Sequence, residues 1–391
     1  MDKPYYPHKP IGSLDALAKT LGVHPKLLLD FAEKANSSYT SFDVVSKSGK
    51  VRTVYEPKYE LKKIQKRIND RIFEAVKFPL YLQGGISDDQ SKRDYVENAK
   101  IHANSQCLIV LDIKNFYGNI KSDYVFDVFK YLFKFPDEVS TLLTKLVCLR
   151  GRVPQGACTS SYVANLVFHN SEYHVVSYFR QRGVVYSRLL DDVTLSTNDR
   201  PSAASIQEYI ERVIALFKKY DLKPRSDKIK VYIKGSHAYT YDVTGLWVGH
   251  AKPKLRKSER RYIRQLVFEC EKKYQVSSCD PSYHKFWNYV SGQVAKMTRL
   301  GHHQSKELRR RLGLILPTID ALEEQKIAAD VQKIAKLRRN HTYKSGDISR
   351  INKLYYKLGL LSRTNKGRSK ALRNLLKSAH PNVPNKREYW L

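Results

Sequence analysis

Two adjacent aspartates, Asp191 and Asp192, restrict the folds open to this sequence more than any other feature. They lie between two runs rich in β-forming residues, VVYSRLL and VTLS, where a short hairpin turn is expected. Tight hairpin turns favour Asn-Gly or Asp-Gly, because their residues need a positive φ. Two neighbouring like charges are unfavourable in such a turn unless a cation neutralises them. The pattern therefore predicts a hairpin that holds a cation.

A third aspartate, Asp112, lies near the end of the apolar run CLIVLDI at 107–113, which predicts a buried strand. A helix cap or an exposed strand end would explain Asp112 on its own, but burying its charge costs several kcal/mol unless it is paired or metal-bound. Mg²⁺ prefers oxygen ligands and is usually held by one or two carboxylates together with substrate phosphates. Two such ions about 3.5–4 Å apart can activate an attacking hydroxyl and stabilise a leaving pyrophosphate. The three aspartates therefore predict a two-ion magnesium site for nucleotidyl transfer.

The chain is strongly basic, with 70 Lys and Arg against 38 Asp and Glu and a net charge of +32. Such an excess repels itself in the folded state unless an anionic partner offsets it, which favours nucleic acid. No lipidation signal or amphipathic anchor supports a membrane partner, and no apolar run is long enough to span a bilayer. The N-terminus does not resemble a signal peptide, so a cytoplasmic protein is expected. The five cysteines lack metal-ligand spacing, which favours unreactive thiols.

The hydrophobic pattern predicts a mixture of strands and helices up to residue 250, followed by basic helices alone. The strands are expected in a hairpin over 42–56 that turns at Ser48-Gly49, and over 107–113, 184–190, 193–197 and 228–249. Helices are expected over 14–36, 58–78, 121–150, 159–181 and 202–221, with a loop at 151–158. This order predicts an α+β core with a helical appendage.

Six segments resemble, in order, the motifs of reverse transcriptases. They are GKVRTVYEPKYELKKIQKRI for the fingers, LDIKNFYGNI for the first aspartate motif, VPQGACTSSYVANL for the nucleotide loop, LLDDVTLS for the double-aspartate hairpin, LKPRSDKIKV for the lysine motif and VTGLWVG for the turn beside the primer end. Asn98-Ala99-Lys100-Ile101-His102 is similar to the NAxxH signature of bacterial retron enzymes, and Val243-Thr244-Gly245 to their VTG signature. The resemblance spans about residues 42–315.

The resemblance implies a right-hand polymerase fold with fingers, palm and helical thumb. Residues 1–36 would form an N-terminal helical segment, 37–250 the fingers and palm, and 251–316 the thumb. Residues 317–391 would form a basic helical C-terminal extension. This extension places aromatic residues among Lys and Arg, a composition that suits RNA binding. We therefore expect the extension to clamp the cognate RNA or to dock a partner protein.

The resemblance also implies a metal-ligand set. Asp112 and Asp191 would bind both Mg²⁺ ions, Asp192 would support them, and the Ile113 carbonyl would complete the ligands. The resemblance further implies deoxynucleoside triphosphates as substrates.

Three residues are implied to shape the site of the incoming nucleotide. Tyr117, five residues after Asp112, would be the aromatic gate that excludes a 2′-hydroxyl and so selects deoxynucleotides. Gln155 and Gly156 would lie against the nucleotide. A glycine is expected there because the backbone must approach closely.

Two cationic residues are implied to act on the triphosphate. Arg52, together with Lys50, would hold it, and Lys228 would protonate or neutralise the pyrophosphate. Lys230 is a competing alignment for that second role. A solvated charge on a strand is the alternative interpretation of both Arg52 and Lys228.

The sequence departs from the family pattern at three positions. Leu189 stands where the hairpin usually has a tyrosine, which puts contact with the primer end in doubt. Asn115 replaces a common acidic residue, and Cys158 replaces a proline in the nucleotide loop. None of the three removes a metal ligand, so these departures indicate a divergent branch.

The resemblance implies RNA-directed DNA synthesis on a dedicated structured noncoding RNA. A guanosine 2′-hydroxyl would prime synthesis and leave single-stranded DNA joined to RNA (msDNA). The family analogy also implies defence against phage through a separate effector protein. Another defence-associated reverse transcriptase, with different priming, and a non-catalytic RNA-binding scaffold are alternatives. A group II intron enzyme is disfavoured, because no endonuclease motif follows the thumb.

Overall fold

The computed structural model describes residues 2–46, 49, 51–235, 241–337 and 343–391. Ser48 and Lys50 of the predicted hairpin turn, and residues 236–240 of the predicted strand region, lie outside the described residues. The strands are β1 (Tyr39–Val45), β2 (Val51–Pro57), β3 (Leu82–Gln83), β4 (Cys107–Asp112), β5 (Val184–Leu189), β6 (Asp192–Thr197), β7 (Lys230–Ile233), β8 (Asp242–Val243) and β9 (Leu246–Trp247).

Among the described residues, helices outnumber strands and make up about half of the chain. They are α1 (Leu14–Leu21), α2 (Pro25–Glu33), α3 (Tyr59–Ile68), α4 (Tyr95–Ile101), α5 (Phe116–Asn119), α6 (Ser122–Asp127), α7 (Asp137–Val147), α8 (Ser160–Leu166), α9 (Glu172–Arg180), α10 (Ala203–Lys219), α11 (Lys257–Val276), α12 (Pro281–Arg299), α13 (Ser305–Leu314), α14 (Ala321–Ala335), α15 (Ser345–Leu361), α16 (Lys366–Ala379) and α17 (Lys386–Trp390). Two π-helical turns, Asn69–Phe73 and Val128–Leu132, extend α3 and α6. Short 3₁₀ turns occur at Ala35–Ser37 and Ser226–Lys228.

A five-stranded sheet in the order β3-β5-β6-β4-β7 forms the centre of the first part of the chain. Only the β3–β5 pairing is parallel, and the other neighbours run antiparallel. Leu108, Ile109 and Leu111 of β4 are almost completely buried, because β4 lies between two strands and beneath helices. The strands β1 and β2 form a separate hairpin in register from Tyr39 to Pro57. This arrangement confirms the predicted α+β fold class.

Two predicted long helices are interrupted. The helix expected over 121–150 breaks between residues 133 and 136, where Lys134 has a φ of 59° and Pro136 precedes α7. A proline cannot donate the next helical hydrogen bond, which favours a new start at this point. The helix expected over 159–181 is divided into α8 and α9, since residues 167–171 form turns. Pro136 at the first break and the polar run at 169–172 beside the second are the sequence signals of these interruptions.

The chain divides into two compact units, Met1–Pro253 with Leu391, and Lys254–Trp390. The second unit is helical throughout, as the sequence predicted beyond residue 255. Within it, α14, α15 and α16 enclose an apolar core that includes Ile327, Val331, Leu358 and Leu376. Among the described residues, no helix combines the length and the apolar character needed to cross a membrane.

Candidate active site

The three aspartates lie together where the interior strands β4 and β6 meet at one end of the sheet. Asp112 ends β4 and pairs in register with Asp192, the first residue of β6. The N–H of Ile113 donates to the carbonyl oxygen of Asp191 at 3.0 Å. Because these bonds join chain segments far apart in sequence, the sheet register itself brings the carboxylates together.

The hairpin between β5 and β6 turns one residue earlier than the sequence suggested. Leu189 pairs with Asp192, so the two turn residues are Leu190 and Asp191, and Asp192 belongs to the strand. Leu190 supplies the positive φ, at 57°, that such turns require. A leucine in this conformation is strained, and strain of this kind is concentrated at functional sites.

The electrostatics of the site disfavour three ionised aspartates. Burial raises the pKa of Asp191, and the neighbouring Asp112 carboxylate raises it further. Burial, followed by the charges of Asp191 and Asp112, raises the pKa of Asp192 to about 6. Each carboxylate is therefore held close to others of the same charge in partly dry surroundings, and a cation would relieve both effects.

Two cationic side chains approach Asp112. Lys228, in the 3₁₀ turn, donates from Nζ to Asp112 Oδ2. Arg225 Nη1 lies 3.9 Å from Asp112 Oδ1, and the Arg225 N–H donates to the Asp112 carbonyl oxygen at 2.8 Å. Lys230 instead lies exposed on β7, opposite Val110. The structure thus brings Lys228, and not Lys230, to the carboxylates.

The carboxylates of this site suit magnesium better than they suit a metal ion that takes all of its ligands from the protein. Within the described ranges, no three His, Cys, Asp or Glu side chains converge closely enough to hold an ion by themselves. Mg²⁺ keeps several waters and takes substrate phosphate oxygens, so one or two carboxylates at an open edge are sufficient. Asp112 and Asp191, with Asp192 and the Ile113 backbone beside them, fit that requirement.

The nucleotide loop contacts the β1–β2 hairpin directly. The N–H of Tyr55 donates to the Gln155 carbonyl oxygen at 2.8 Å. Gly156 has a φ of 109°, and a Cβ atom there would lie closer than 3.0 Å to Val54 Cγ1 and 3.1 Å from the Tyr55 carbonyl oxygen. The sequence explained this glycine by contact with the nucleotide. The structure adds a second explanation, because β2 leaves no room for a side chain at this position.

Arg52 and Tyr117 lie near the carboxylates from two other directions. Arg52 is exposed on β2 opposite Val44. Burial raises the pKa of Asp191, and the charge of Arg52 partly offsets that rise. The Tyr117 hydroxyl hydrogen-bonds the Ser161 side chain. Burial raises the pKa of this hydroxyl, and the charge of Asp191 raises that pKa further. The structure therefore collects both predicted nucleotide-binding residues around the hairpin, while Lys50 lies outside the described residues.

Leu189, the position of the expected tyrosine, packs against Gly84, the first of two glycines that follow β3. A Cβ atom on Gly84 would lie 2.8 Å from Leu189 Cδ1, and one on Gly85 would lie 2.5 Å from Ser161 Cβ. Both glycines have positive φ values, 77° and 67°. The main chain after β3 thus approaches the double-aspartate hairpin more closely than any residue with a side chain would allow.

The NAxxH signature forms a buried hydrogen-bond network beneath that hairpin. His102 is 1% exposed and bonds Ser196 Oγ on β6 at 2.7 Å and Ser187 Oγ on β5 at 2.6 Å. Ser187 Oγ in turn donates to Asn98 Oδ1 at 2.7 Å. Burial lowers the pKa of His102 to about 3, so the ring is neutral. The signature therefore joins α4 to both strands that flank Asp191.

The VTG signature fastens the other end of the same helix. Thr244 Oγ1 donates to the Tyr95 carbonyl oxygen at 2.9 Å, and Thr244 and Gly245 both have positive φ values, 49° and 77°. Asp94 caps α4 by accepting from the Val96 and Glu97 N–H groups. The two signatures, distant in sequence, thus hold one helix under the candidate site.

Sequence reasoning missed a buried ion pair, Arg188 with Glu172, and the contacts of Arg225 with Asp112. A charged residue within a β-rich run looks the same in the sequence whether its side chain is buried or solvated. Only the fold, which buries Arg188 completely, distinguishes the two cases.

Comparisons with known proteins place this geometry in context. The sequence model of the family described as reverse transcriptase (RNA-dependent DNA polymerase) matches residues 40–277. The Retron Se72 reverse transcriptase of Salmonella heidelberg is 38% identical over 388 residues, which cover 97% of this chain and 100% of that protein. The Retron Ec48 reverse transcriptase of Escherichia coli is 31% identical over 380 residues, covering 93% and 91%. The Retron Ec86 enzyme of the same organism is 25% identical over 206 residues, covering 52% and 63%.

Proposed function

The chain belongs to the reverse transcriptases and is an RNA-directed DNA polymerase of the retron type, and we propose that it copies a dedicated structured noncoding RNA into single-stranded DNA. The similarity to the Se72 enzyme over nearly the full length of both chains carries this proposal. It extends through the second unit, beyond the residues that the family model matches. A template-specific function is thus favoured over a general polymerase.

We assign the chemistry to the three aspartates. Asp112 and Asp191 would hold two magnesium ions with the Ile113 carbonyl, and Asp192 would support them. When bound, magnesium favours ionisation of the attacking hydroxyl and neutralises charge on the phosphates. The primer oxygen forms a bond to the α-phosphorus of the deoxynucleotide while the bond to the pyrophosphate oxygen breaks.

The remaining residues bind and orient the nucleotide. Arg52 holds the triphosphate, and Lys228, already beside Asp112, neutralises or protonates the departing pyrophosphate. Gln155 and Gly156 support the nucleotide from the loop that bonds β2. The Tyr117 ring, fixed by burial and by Ser161, excludes a ribose 2′-hydroxyl.

The priming group in this proposal is the 2′-hydroxyl of a guanosine in the same RNA, which leaves the DNA joined to its template. The product would act in defence against phage together with a separate effector protein. These two steps rest on the retron relationship. The first is tested by the chemistry of the DNA–RNA junction.

The second unit supplies a surface for the RNA. Four exposed cationic residues of α16 recur at helical spacing and form one stripe: Lys366, Lys370, Arg373 and Lys377. An adjacent face of α16, about a quarter turn from the stripe, buries Leu372 and Leu376 in the core of the unit. A helix that packs one face and presents cations on another suits contact with phosphates.

The stripe is tested by replacing its three lysines with glutamine, which keeps helix propensity and removes charge. We expect weaker binding of the co-purifying RNA and a smaller salt dependence, by about one unit of slope for each lost phosphate contact. The matched control is Lys218→Gln/Lys219→Gln, two exposed lysines at the end of α10. Equal RNA retention by both variants would remove the stripe from the proposal.

The principal experiment uses protein purified from cells that carry its native locus, with Asp191→Ala/Asp192→Ala beside the wild type. The bound nucleic acid is sequenced with and without RNase and a debranching enzyme. Discrete DNA on the wild type alone, shortened by debranching, supports the proposal and identifies the template.

The nearest alternative is a defence-associated reverse transcriptase with a different primer, which Leu189 at the tyrosine position favours. DNA on the wild type that is insensitive to debranching would support it. RNA alone on both proteins would instead indicate a non-catalytic RNA-binding scaffold.

A further inference from the structure

We propose that Arg188 is a positioning residue that orients the Asp191 carboxylate by holding the peptide group between Leu190 and Asp191. Arg188 lies on β5, three residues before Asp191, and its side chain is 0% exposed. It makes no contact with a reacting atom in this assignment. The inference rests on the proposed catalytic role of Asp191.

The guanidinium uses all of its nitrogen atoms. Nε donates to Glu172 Oε1 at 2.5 Å and Nη2 to Glu172 Oε2 at 2.8 Å, which forms a bidentate ion pair. Nη2 also donates to the Asn165 carbonyl oxygen at 3.0 Å, and Nη1 to that of Ala164 at 3.3 Å. These partners lie on α8 and α9, so the guanidinium is fixed relative to the helices.

The remaining bond reaches the double-aspartate hairpin. Nη1 donates to the carbonyl oxygen of Leu190 at 3.2 Å. Leu190 is the turn residue with the strained positive φ, and a bond to its carbonyl stabilises that conformation. The arginine therefore connects the rigid helices to the one residue whose backbone conformation determines the turn.

The consequence for Asp191 follows from the geometry of a trans peptide, in which the C=O and N–H point in opposite directions. With the Leu190 carbonyl directed at Arg188, the plane of the Leu190–Asp191 peptide is fixed, and with it the backbone from which the Asp191 side chain projects. On the other side, the Asp191 carbonyl accepts from Ile113. Both peptide groups that flank Asp191 are thus fixed.

A purely stabilising ion pair would be a poor explanation of this arrangement. Burying both charges costs several kcal/mol, and an apolar pair of the same volume is often at least as stable. An arginine is suited to the site because its planar fork can bind a carboxylate and backbone carbonyls together, which a lysine cannot do. The contact with Leu190 is the part of this network that extends toward the chemistry.

The test compares full-length wild type with Asp191→Asn, Arg188→Met/Glu172→Gln, Arg188→Lys and Ser187→Ala. The double variant removes both buried charges but keeps an acceptor for the Tyr186 hydroxyl, which bonds Glu172 at 2.8 Å. Arg188→Lys keeps the charge opposite Glu172 without the fork. Ser187→Ala is the matched control, since it loosens the same hairpin without touching Leu190.

Two quantities are measured: Mn²⁺ affinity from the free-ion electron paramagnetic resonance signal, without nucleic acid, and dNTP incorporation on the co-purifying RNA. We expect the double variant to bind Mn²⁺ about tenfold more weakly and to lose kcat about 10- to 100-fold, with the dNTP KM within about threefold of wild type. Arg188→Lys should show the same losses, and it carries the test if the double variant does not fold. Ser187→Ala should lower the melting temperature but keep both quantities within about twofold of wild type.

Wild-type values in the double variant or in Arg188→Lys would overturn the inference. Equal losses in Ser187→Ala would also overturn it, because general hairpin packing would then explain the effect. Undiminished incorporation by Asp191→Asn would instead refute the catalytic assignment on which the inference rests.

Discussion

Substituting Gly156 by alanine tests the contact between the nucleotide loop and the β1–β2 hairpin. The new Cβ atom would lie inside 3.0 Å of Val54 Cγ1, whereas carbon atoms in contact prefer about 3.5–4.0 Å. The loop and hairpin must therefore separate by about 1 Å, since the β-branched valine has little rotamer freedom. That movement weakens the bond from the Tyr55 N–H to the Gln155 carbonyl oxygen, now 2.8 Å long.

The cost can be estimated from these contacts. A φ of 109° is unfavourable for alanine by about 1–3 kcal/mol, and the weakened hydrogen bond adds about 0.5–1.5 kcal/mol. The total of roughly 2–4 kcal/mol corresponds to a melting temperature lower by about 5–15 °C for a unit of this size. Because the shifted loop also carries Gln155, the dNTP KM should rise several-fold.

The assay combines thermal denaturation with dNTP incorporation on the co-purifying RNA. The control is Gly292→Ala in α12, where a Cβ atom meets nothing within 4 Å and φ is ordinary. That change should stabilise the second unit by about 0.5–1 kcal/mol, as expected for Gly to Ala in a helix. An unchanged melting temperature and KM in Gly156→Ala would refute the reasoning from the close approach.

Other predictions follow from the site. Burial lowers the pKa of His102 from 6.5 in the unfolded chain to about 3 in the fold. Below pH 6.5 the unfolded chain therefore takes up a proton that the folded chain does not, and the free energy of unfolding falls. Urea titrations should show that wild type loses about 2 kcal/mol more of this free energy than His102→Gln between pH 7 and pH 5, and equal losses would contradict the assignment. Asp191→Asn and EDTA should each abolish synthesis, with Mg²⁺ restoring only the EDTA-treated wild type; residual synthesis in either case would exclude the proposed site. Burial and the two neighbouring carboxylates raise the pKa of Asp192 to about 6, so its ionised form is unfavourable in the fold. In EDTA, Asp192→Asn should therefore raise the melting temperature. A lower melting temperature would show that neighbouring groups compensate the Asp192 charge. Tyr117→Val should increase ribonucleotide incorporation, whereas Tyr117→Phe, which keeps the ring, should not; equal discrimination by both would refute the gate.

Much of the fold could be predicted because its signals are local. The alternation over 42–56 predicted the β1–β2 hairpin, and the apolar run before Asp112 predicted β4. The three aspartates were predicted from motifs, and the sheet register then explains why they meet. Lys228 could be distinguished from Lys230 only in the structure, since both fit the sequence motif.

The supporting contacts could not be predicted, because they join residues whose proximity depends on packing. Nothing local indicates that Asn98 and His102 bond serines on β5 and β6, or that Arg188 reaches Leu190. The break between α8 and α9 was missed although a polar run at 169–172 interrupts the apolar pattern there. Turn position was wrong by one residue at Asp192, since pairing with Leu189 extends the strand.

The strand order also has a consequence for biosynthesis. The ribosome releases β4 at residues 107–112, but its two neighbours in the sheet, at 192–197 and 230–233, emerge much later. During that interval β4 is an apolar strand with both edges open, which is a hazard for aggregation and a substrate for chaperones. A chain whose synthesis stops before β6 also lacks Asp192, and so lacks part of the proposed metal site.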